Sequence, residues 1–312
     1  MTIATIDIGT NAVLLLVAQT DSQGTVSRRA EEQRIPRLGM GLDERRVLQG
    51  EAMSRVIAVL REYRRIIDRF RAESTVVCGT SAVRDAANRD DFVELVKKES
   101  GFTLELLSGD EEALWTYRGA LSGIMGTSRA TVVDIGGGST EISVGDSKHV
   151  TQRTSLDIGS VRLTERIFRH DPPTFGELEA AIEETEEAIQ EAARFAFDGS
   201  DLIGVAGTAT SLAILAQGLS RFDIDVVSGY RLRKQRVEEL FQMLRELPSD
   251  QIRRLSSVME GRNDIIVAGT LILREIMAHF GFEEMIVSER GVRYGLAIRE
   301  WEKKARGIKP KR

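Results

Sequence analysis

Cysteine, proline and histidine are scarce in this sequence of 312 residues, which contains one, five and three of them. A single cysteine, Cys78, rules out an internal disulfide and is typical of a reducing compartment. It ends the apolar run Thr75–Cys78, so we interpret it as a buried core residue. The histidines are His149, His170 and His279, whose positions are too scattered for the spacing of zinc ligands.

Long apolar runs and an excess of positive charge are also absent. No run approaches the ~20 residues of a membrane-spanning helix, and the N-terminus lacks the basic segment, apolar stretch and cleavage site of a secretion signal. We therefore expect a cytoplasmic protein without a membrane partner. The net charge of −5 argues against nucleic-acid binding. The net charge does not exclude a polyanionic substrate, because a cleft can be locally positive on an acidic protein.

One sequence motif occurs twice, as Asp7-Ile8-Gly9-Thr10-Asn11 and, in an altered form, as Asp-Ile-Gly-Gly-Gly-Ser-Thr at 134–140. Each copy follows an apolar, β-branched run and places an aspartate at a strand end, before a turn rich in glycine and hydroxyl groups. Glycines let backbone N–H groups approach a phosphate, and the aspartate can hold Mg²⁺ or orient a water. The repetition indicates a duplication and predicts two turns that grip a phosphate chain from both sides.

Hydrophobic periodicity predicts the order βββαβαβα in each half. In the first half, strands are predicted at 2–18, 25–31, 34–38, 75–79 and 103–107, and helices at 51–71, 88–99 and 109–123. In the second, strands are predicted at 130–134, 141–144, 149–156, 202–206 and 285–287, and helices at 174–197, after 210, at 233–246 and at 262–280, with an insertion near 220–260. The predicted domains are 1–125 and 126–312. The terminal helix, about 291–306, belongs to the second domain, with packing back on the first as the alternative.

Two such halves, each opening on an Asp-x-Gly hairpin, resemble the actin-like ATPase fold. This is an α/β fold of two tandem actin-like (ribonuclease H-like) domains with the active site in the cleft between them. Four further segments narrow the resemblance: Gly-Thr-Ser-Ala-Val-Arg-Asp-Ala at 79–86, Ser-Gly-Asp-Glu-Glu-Ala at 108–113, Gly-Gly-Gly-Ser-Thr-Glu at 136–141, and Ser-Glu-Arg-Gly-Val-Arg-Tyr-Gly at 288–295. With residues 7–11 they are similar, in order over nearly the whole chain, to motifs of the exopolyphosphatase / guanosine pentaphosphate phosphohydrolase (Ppx/GppA) family. The length resembles the family's short, two-domain form.

The resemblance implies a hydrolase acting on phosphoanhydrides. The expected substrates are inorganic polyphosphate, which loses its terminal phosphate, and pppGpp, which is converted to ppGpp in the stringent response. Such a site must neutralise charge, position the terminal phosphoryl group and orient a water. Mg²⁺ or another divalent cation is the implied cofactor, the implied partners are polyphosphate or guanosine penta-/tetraphosphate, and a homodimer is common in the family.

The same resemblance assigns roles to residues. Glu112 is the expected general base, Glu141 is expected to orient water or metal, and Arg84 is expected to meet the negative charge of the phosphoryl group. Asp7 and Asp134 are the metal-ligand candidates. The candidates for binding phosphate are Gly9, Thr10, Asn11, Gly136, Gly137, Gly138, Ser139, Gly207, Thr208, Arg262 and Arg293.

Some of these residues also have a purely structural interpretation. Ser108 to Glu111 is a capping-box sequence, in which acidic residues stabilise a helix N-terminus. Gly207 and Thr208 could cap the following helix, and Arg293 could form an ion pair with Glu289. The family pattern has serine at position 12 and arginine or histidine at position 14, where this chain has Ala12 and Leu14. A lost charge-assisted hydrogen bond would weaken binding by roughly 1.5–3 kcal/mol, so these departures bear on substrate choice.

Two other functions compete with hydrolysis. A kinase or ATPase of the same fold would form ADP, but a water-activating Glu112 beside the γ-phosphate would waste ATP. A non-catalytic sensor that binds (p)ppGpp would show binding without turnover, and the changes at positions 12 and 14 keep that alternative open.

Overall fold

The computed structural model describes residues 1–124, 126–147, 149–197 and 199–307. The chain divides into two compact units. Unit 1 comprises Met1–Ser122 and the segment that begins at Arg290, and unit 2 comprises Gly123–Glu289. Unit 2 is thus inserted between two parts of unit 1. The sequence assigned the terminal helix to the second domain, with packing on the first as the alternative; in the structure this helix groups with unit 1.

Unit 1 is built on a five-stranded sheet within the described residues. Its strands are β1 (Thr2–Ile8), β2 (Val13–Thr20), β3 (Val26–Arg34), β4 (Ser74–Gly79) and β5 (Leu104–Leu106), and its first helices are α1 (Leu42–Arg45), α2 (Gly50–Phe70), α3 (Ser81–Asp85), α4 (Arg89–Ser100) and α5 (Gly109–Leu121). The strand order is β3-β2-β1-β4-β5. The first three strands pair antiparallel, and β4 and β5 continue the sheet in parallel.

Unit 2 repeats this plan with additions. Its strands are β6 (Arg129–Ile135), β7 (Thr140–Asp146), β8 (Val150–Leu156), β9 (Asp201–Val205), β10 (Arg231–Arg233) and β11 (Glu284–Val287). Its helices are α6 (Ser160–Ile167), α7 (Phe175–Ile189), α8 (Ala206–Ala216), α9 (Ile224–Val227), α10 (Lys234–Leu244), α11 (Ser249–Leu255) and α12 (Ile266–His279), with 3₁₀ turns at Gln190–Ala192 and Ser257–Met259. The chain then returns to unit 1 with α13 (Val292–Ala305).

The two sheets share one strand order. In unit 2 it runs β8-β7-β6-β9-β11, with β10 added antiparallel at the edge beside β11, and this matches β3-β2-β1-β4-β5 of unit 1. In both units a hairpin pair comes first, and helical crossovers then add parallel strands. The predicted α/β class with two actin-like domains is confirmed.

Two predicted elements need correction, and α6 is among the helices that were not predicted. The run 2–18 forms two strands, because Gly9 to Ala12 make a tight turn between β1 and β2. The predicted strand at 34–38 is a loop, since Pro36 has no N–H to give to a ladder and Arg37 has a positive φ of 52°. Helix α6 was not predicted, because its segment carries polar residues at most positions.

Alternation along β1 decides what each face of the first sheet contacts. Ala4, Ile6 and Ile8 belong to one apolar cluster together with α2, whereas Ile3 packs with Tyr294 and Ala297 of α13. Asp7 lies near the C-terminal end of β1, four residues after Ile3. Because side chains alternate along a strand, Asp7 is on the same face of the sheet as Ile3, which is the face that contacts α13.

Helices α5 and α13 pack in very close contact in unit 1. A Cβ on Gly295 would overlap the Trp115 carbonyl, and one on Gly119 would overlap the Gly291 carbonyl. These glycines permit a helix–helix approach that any side chain would prevent. The packing fixes α5, whose first turn carries Glu112.

No helix within the described ranges is both long enough and apolar enough to cross a membrane.

Candidate active site

The first predicted phosphate turn, residues 9–12, closes immediately after β1. The Gly9 N–H donates to the Ala12 carbonyl at 3.0 Å. The Asn11 carbonyl accepts from Arg37 N–H at 3.0 Å, and the Thr10 carbonyl accepts from Gly39 N–H at 2.8 Å. A Cβ on Gly39 would overlap the Thr10 side chain, so only glycine allows this brace. The loop after β3 therefore holds the turn in one conformation.

The direction of these carbonyls determines where the N–H groups of the turn point. In a trans peptide the C=O and the following N–H point in opposite directions. The carbonyls of Thr10 and Asn11 point toward the loop at 37–39, so the N–H groups of Asn11 and Ala12 point away from it. The sequence favoured donors at 9–11, but the Gly9 N–H is engaged by Ala12.

Glu112 lies in the first turn of α5 and is buried, with 8% of its surface exposed. The capping box is formed by its neighbours: Ser108 Oγ accepts from the Glu111 N–H at 3.2 Å, and Glu111 Oε2 accepts from the Ser108 N–H at 3.0 Å. The structural interpretation thus applies to Ser108 and Glu111. Since Glu111 caps the helix, the carboxylate of Glu112 is left to make other contacts.

Arg84 is the partner of Glu112. Its Nη1 donates to Glu112 Oε2 at 3.0 Å and to the Leu107 carbonyl at 3.0 Å. Arg84 belongs to α3, which follows β4, and Leu107 follows β5. The two C-terminal strand ends are adjacent in the sheet, so the fold brings together residues separated by 28 positions. The sequence predicted both residues for the site but not their ion pair.

Asp7 ends its strand opposite Cys78 and Leu14. The Cys78 thiol lies 3.9 Å from Asp7 Oδ1 and can donate to it. Burial and the neighbouring Asp7 carboxylate raise the pKa of the Cys78 thiol well above its usual value. The interpretation of Cys78 as a core residue is confirmed, since it is completely buried.

The second phosphate turn repeats the first at the level of hydrogen bonds. The Gly136 N–H donates to the Ser139 carbonyl at 3.0 Å, as Gly9 does to Ala12. Here the N-terminus of α6 provides the brace: the Gly136 carbonyl accepts from Ser160 N–H at 2.9 Å, and the Gly137 carbonyl accepts from Val161 N–H at 2.8 Å. By the same peptide geometry, the N–H groups of Gly137 and Gly138 point away from α6.

Gly159 makes this arrangement of the second turn possible. A Cβ there would lie 2.6 Å from the Gly137 carbonyl carbon and 2.7 Å from Gly138 N. Such distances are too short for non-bonded atoms, so any other residue would displace the turn from α6. Neither Gly159 nor α6 was predicted, although glycine is a favoured residue just before a helix and Gly159 follows a predicted strand.

Three polar side chains occupy directly opposite positions on adjacent strands of unit 2. Asp134 on β6 pairs with Glu141 on β7, which pairs with Ser155 on β8. Opposite residues in an antiparallel pair point to the same face, with Cβ atoms about 4.5–5.5 Å apart. Ser155 Oγ donates to Glu141 Oε1 at 2.7 Å. Glu141 is buried, with 2% of its surface exposed.

Gly207 and Thr208 begin α8, next to Arg262. A Cβ on Gly207 would overlap the Arg262 guanidinium, so the arginine occupies the volume that a side chain would need. Burial lowers the pKa of Arg262 to about 10, because removal from water disfavours the charged form. Thr208 is buried. The structure thus places three predicted phosphate ligands of unit 2 together.

Arg293, another predicted phosphate ligand, has structural partners in unit 1. Its Nη1 donates to the Leu15 carbonyl at 3.1 Å and lies 3.2 Å from Glu31 Oε1. The ion pair suggested by the sequence involved Glu289 instead, whose carboxylate accepts a 2.5 Å hydrogen bond from Ser228 in unit 2.

Comparison with known proteins identifies the family. The model of the Ppx/GppA phosphatase family matches residues 16–304, nearly the whole chain. The chain belongs to the Ppx/GppA phosphatase family. The resemblance predicted from the motifs is therefore confirmed.

Relatives within the Ppx/GppA family differ in length. The chain is 34% identical to a Mycobacterium tuberculosis protein named exopolyphosphatase 2, over 95% of this chain and 97% of that protein. It is 31% identical to a Vibrio vulnificus protein named guanosine-5'-triphosphate,3'-diphosphate pyrophosphatase, over 94% of this chain but only 58% of that longer protein.

Solved structures of the family match the fold. The crystal structure of the Aquifex aeolicus Ppx/GppA family member is 33% identical and has a TM-score of 0.82, over 97% of this chain and 98% of that one. An exopolyphosphatase structure from Cytophaga hutchinsonii has a TM-score of 0.89 at 24% identity, over 99% of each chain, and shows the shared fold.

The described residues contain no cluster of three or more histidine, cysteine or acidic side chains able to enclose a metal ion. Mg²⁺ retains waters and is often held by one or two carboxylates together with substrate phosphates. Asp7 and Asp134, near the ends of β1 and β6, have the oxygen ligands that such an ion takes.

Proposed function

We propose that the chain is an Mg²⁺-dependent exopolyphosphatase, which hydrolyses the terminal phosphoanhydride of inorganic polyphosphate and releases phosphate. One observation carries the proposal: a buried carboxylate, Glu112, is held by Arg84 at 3.0 Å where β4 and β5 end, beside the end of β1 that opens into the first phosphate turn. The likeness to exopolyphosphatase 2 over nearly all of both chains supports the same reaction.

Glu112 acts as the general base in this proposal. Its Oε2 accepts a hydrogen bond from Arg84 Nη1, which orients the carboxylate, and an ionised carboxylate is the form that accepts a proton. The water oxygen attacks the terminal phosphorus, and the proton of the water passes to Glu112. The bond between that phosphorus and the bridging oxygen breaks, and the shortened polyphosphate leaves with the electron pair.

Backbone N–H groups bind the phosphates. In the first turn the proposed donors are the N–H groups of Asn11 and Ala12, which point away from the loop at 37–39, and Thr10 adds its hydroxyl. In the second turn they are those of Gly137 and Gly138, with Ser139 adding a hydroxyl. Because position 12 contributes its backbone, the departure from serine there leaves the N–H donor in place.

Positive charge and a metal complete the binding of the polyanion. Arg84 in unit 1 and Arg262 in unit 2 are the proposed cationic contacts, and the lack of a side chain at Gly207 leaves room for the latter. Gly207 and Thr208 stay predicted phosphate contacts. Arg293 stays a weaker prediction, since Glu31 and Leu15 engage it. Asp7 and Asp134 would hold Mg²⁺, which when bound supplies neutralisation of the phosphate charge.

Hydrolysis of pppGpp to ppGpp is the second candidate reaction. The naming of the Vibrio vulnificus relative favours it, and the same bond type is broken. Leu14, directly opposite Asp7 on β2, replaces the cationic residue of the family pattern, which favours a change in the preferred nucleotide or chain length. A cytoplasmic location and a homodimer remain part of this proposal.

The test is phosphate release from medium-chain polyphosphate, pppGpp and ATP, with Mg²⁺ or with EDTA. We expect Mg²⁺-dependent release from polyphosphate by the wild type, loss of release in Glu112→Ala, and retained release in Glu111→Gln, the adjacent capping residue. Binding without release in the wild type would favour the (p)ppGpp sensor, and transfer from ATP with formation of ADP would favour the kinase.

A further inference from the structure

Ser155 has a hydroxyl that strand pairing does not require. Pairing of β7 with β8 uses backbone groups, and β-branched residues suit a strand better than serine does. The side chain lies directly across from Glu141 and donates to Oε1 at 2.7 Å. That length is typical of a well-formed O–H···O hydrogen bond.

Glu141 occupies an unusual position in the sheet. Asp134 lies opposite it on one side and Ser155 on the other, so one neighbour is a like charge and the other a donor. Two carboxylates at opposite positions repel each other. Without a fixed donor, the Glu141 side chain would turn away from Asp134, and its buried carboxylate would lose a partner.

We propose that Ser155 is a positioning residue, which holds the Glu141 carboxylate in the rotamer that serves the reaction. The inference rests on the proposed function, because Glu141 is given a role in orienting water or metal there. It adds a residue that none of the sequence motifs contains: Ser155 lies beyond the Gly-Gly-Gly-Ser-Thr-Glu segment, on the next strand.

A second hydroxyl on β8 provides a contrast. Thr151 Oγ1 donates to the Val144 carbonyl at 3.0 Å, which is a bond to the backbone of β7 and not to a carboxylate. If hydroxyls of β8 served only to join the strands, Thr151 and Ser155 would contribute in the same way. Positioning predicts that only Ser155 affects turnover.

Threonine and valine at position 155 form the decisive pair, because they have nearly the same shape and differ in the hydroxyl. We expect Ser155→Thr to keep kcat within about threefold of wild type, and Ser155→Val to lower it about tenfold, with KM changed less than about twofold, as for partners that orient metal-site ligands. Thr151→Val is the control. Phosphate release from polyphosphate and the Tm are measured for all four proteins.

Equal kcat values for Ser155→Thr and Ser155→Val in a folded, active protein would overturn the positioning role, even if their Tm values differed. A similar fall in kcat for Thr151→Val would also overturn it, since the effect would then belong to the strand pair. A wild type that releases no phosphate, with or without Mg²⁺, would overturn the proposed function and this inference with it. Activity in the wild type that Glu112→Ala abolishes leaves the positioning role to be decided by the threonine–valine comparison alone.

Discussion

Arg84 Nη1 bonds at 3.0 Å both to Glu112 Oε2 and to the Leu107 carbonyl. One guanidinium nitrogen thus ties the end of β5 to the first turn of α5. The guanidinium is partly exposed and the carboxylate almost buried, at 24% and 10% of their side chains. A cation in this position can both orient the base and attract the substrate phosphate, so the two proposed roles of Arg84 are linked.

Arg84→Lys should lower kcat about 10²- to 10³-fold, although the charge is kept. A planar guanidinium offers several donors in a fixed geometry, whereas an ammonium is a point charge on a flexible stem. Steady-state phosphate release measures the loss. Arg89→Lys is the control, because Arg89 is exposed, donates a hydrogen bond to the backbone carbonyl of Arg84 and lies 3.9 Å from the Asp90 carboxylate. Near wild-type kcat in Arg84→Lys would mean that charge alone suffices.

Gly207→Ala should displace the Arg262 guanidinium, whose volume a Cβ would invade. We expect kcat/KM for polyphosphate to fall about tenfold, which corresponds to roughly 1.4 kcal/mol of lost charge-assisted interaction. Gly176→Ala is the matched control, since a Cβ at Gly176 on α7 meets no atom within 4 Å.

A double-mutant cycle tests the cause. Because Gly207→Ala acts through Arg262, its effect in an Arg262→Ala background should nearly vanish. Additive losses would show that Gly207 contributes by another route.

Gly295→Ala should destabilise unit 1, because the added methyl would overlap the Trp115 carbonyl where α13 crosses α5. Overpacking of this kind costs about 1–3 kcal/mol in the free energy of unfolding. Gly291→Ala serves for comparison, since a Cβ there meets nothing within 4 Å. Thermal or urea unfolding measures both proteins. Equal stability of the two variants would contradict the close packing.

The Cys78 thiol should resist thiol reagents in the native protein at pH 8. Burial and Asp7 raise its pKa, and the reactive form is the thiolate. The pKa of this thiol is higher in the folded protein than the value of about 8.5 in an unfolded chain. Its contribution to the free energy of unfolding is therefore fully present below about pH 8.5 and is lost as the pH rises through the folded pKa. Ellman's reagent should titrate no thiol before denaturation and one after it. Rapid native reaction would show that Cys78 is accessible.

The local sequence pattern was sufficient to predict the two tight turns at 9–12 and 136–139, whose binding of phosphate stays a prediction. Each turn is contiguous, and its glycines and strand-end aspartate are adjacent in sequence, so its chemistry is visible in five to seven residues. The capping box of Ser108 and Glu111 could be predicted for the same reason, and its formation in the structure separates Glu111 from Glu112.

Contacts between distant segments could not be predicted in this way. The hydrogen bond of Gly39 to Thr10, the hydrogen bond of Ser155 to Glu141 and the packing of Arg262 against Gly207 join residues 14 to 55 positions apart. They depend on the register of the sheets and on the course of the loops. The first of these contacts comes directly after the segment predicted as a strand at 34–38, which is a loop because it contains Pro36 and because Arg37 has a positive φ. Propensity and periodicity describe single segments, whereas these contacts depend on where the sheet places each strand end.

The insertion of unit 2 between two parts of unit 1 imposes an order on synthesis. All of unit 2 leaves the ribosome before α13 does, so its sheet can form while the first sheet still lacks the helix that covers Ile3, Leu16 and Ala18. That face stays open until the segment after Arg290 appears. Unit 1, whose translation begins first, is therefore completed only after unit 2 has been synthesised, and the close packing of α13 on α5, which fixes the helix carrying Glu112, depends on that later segment.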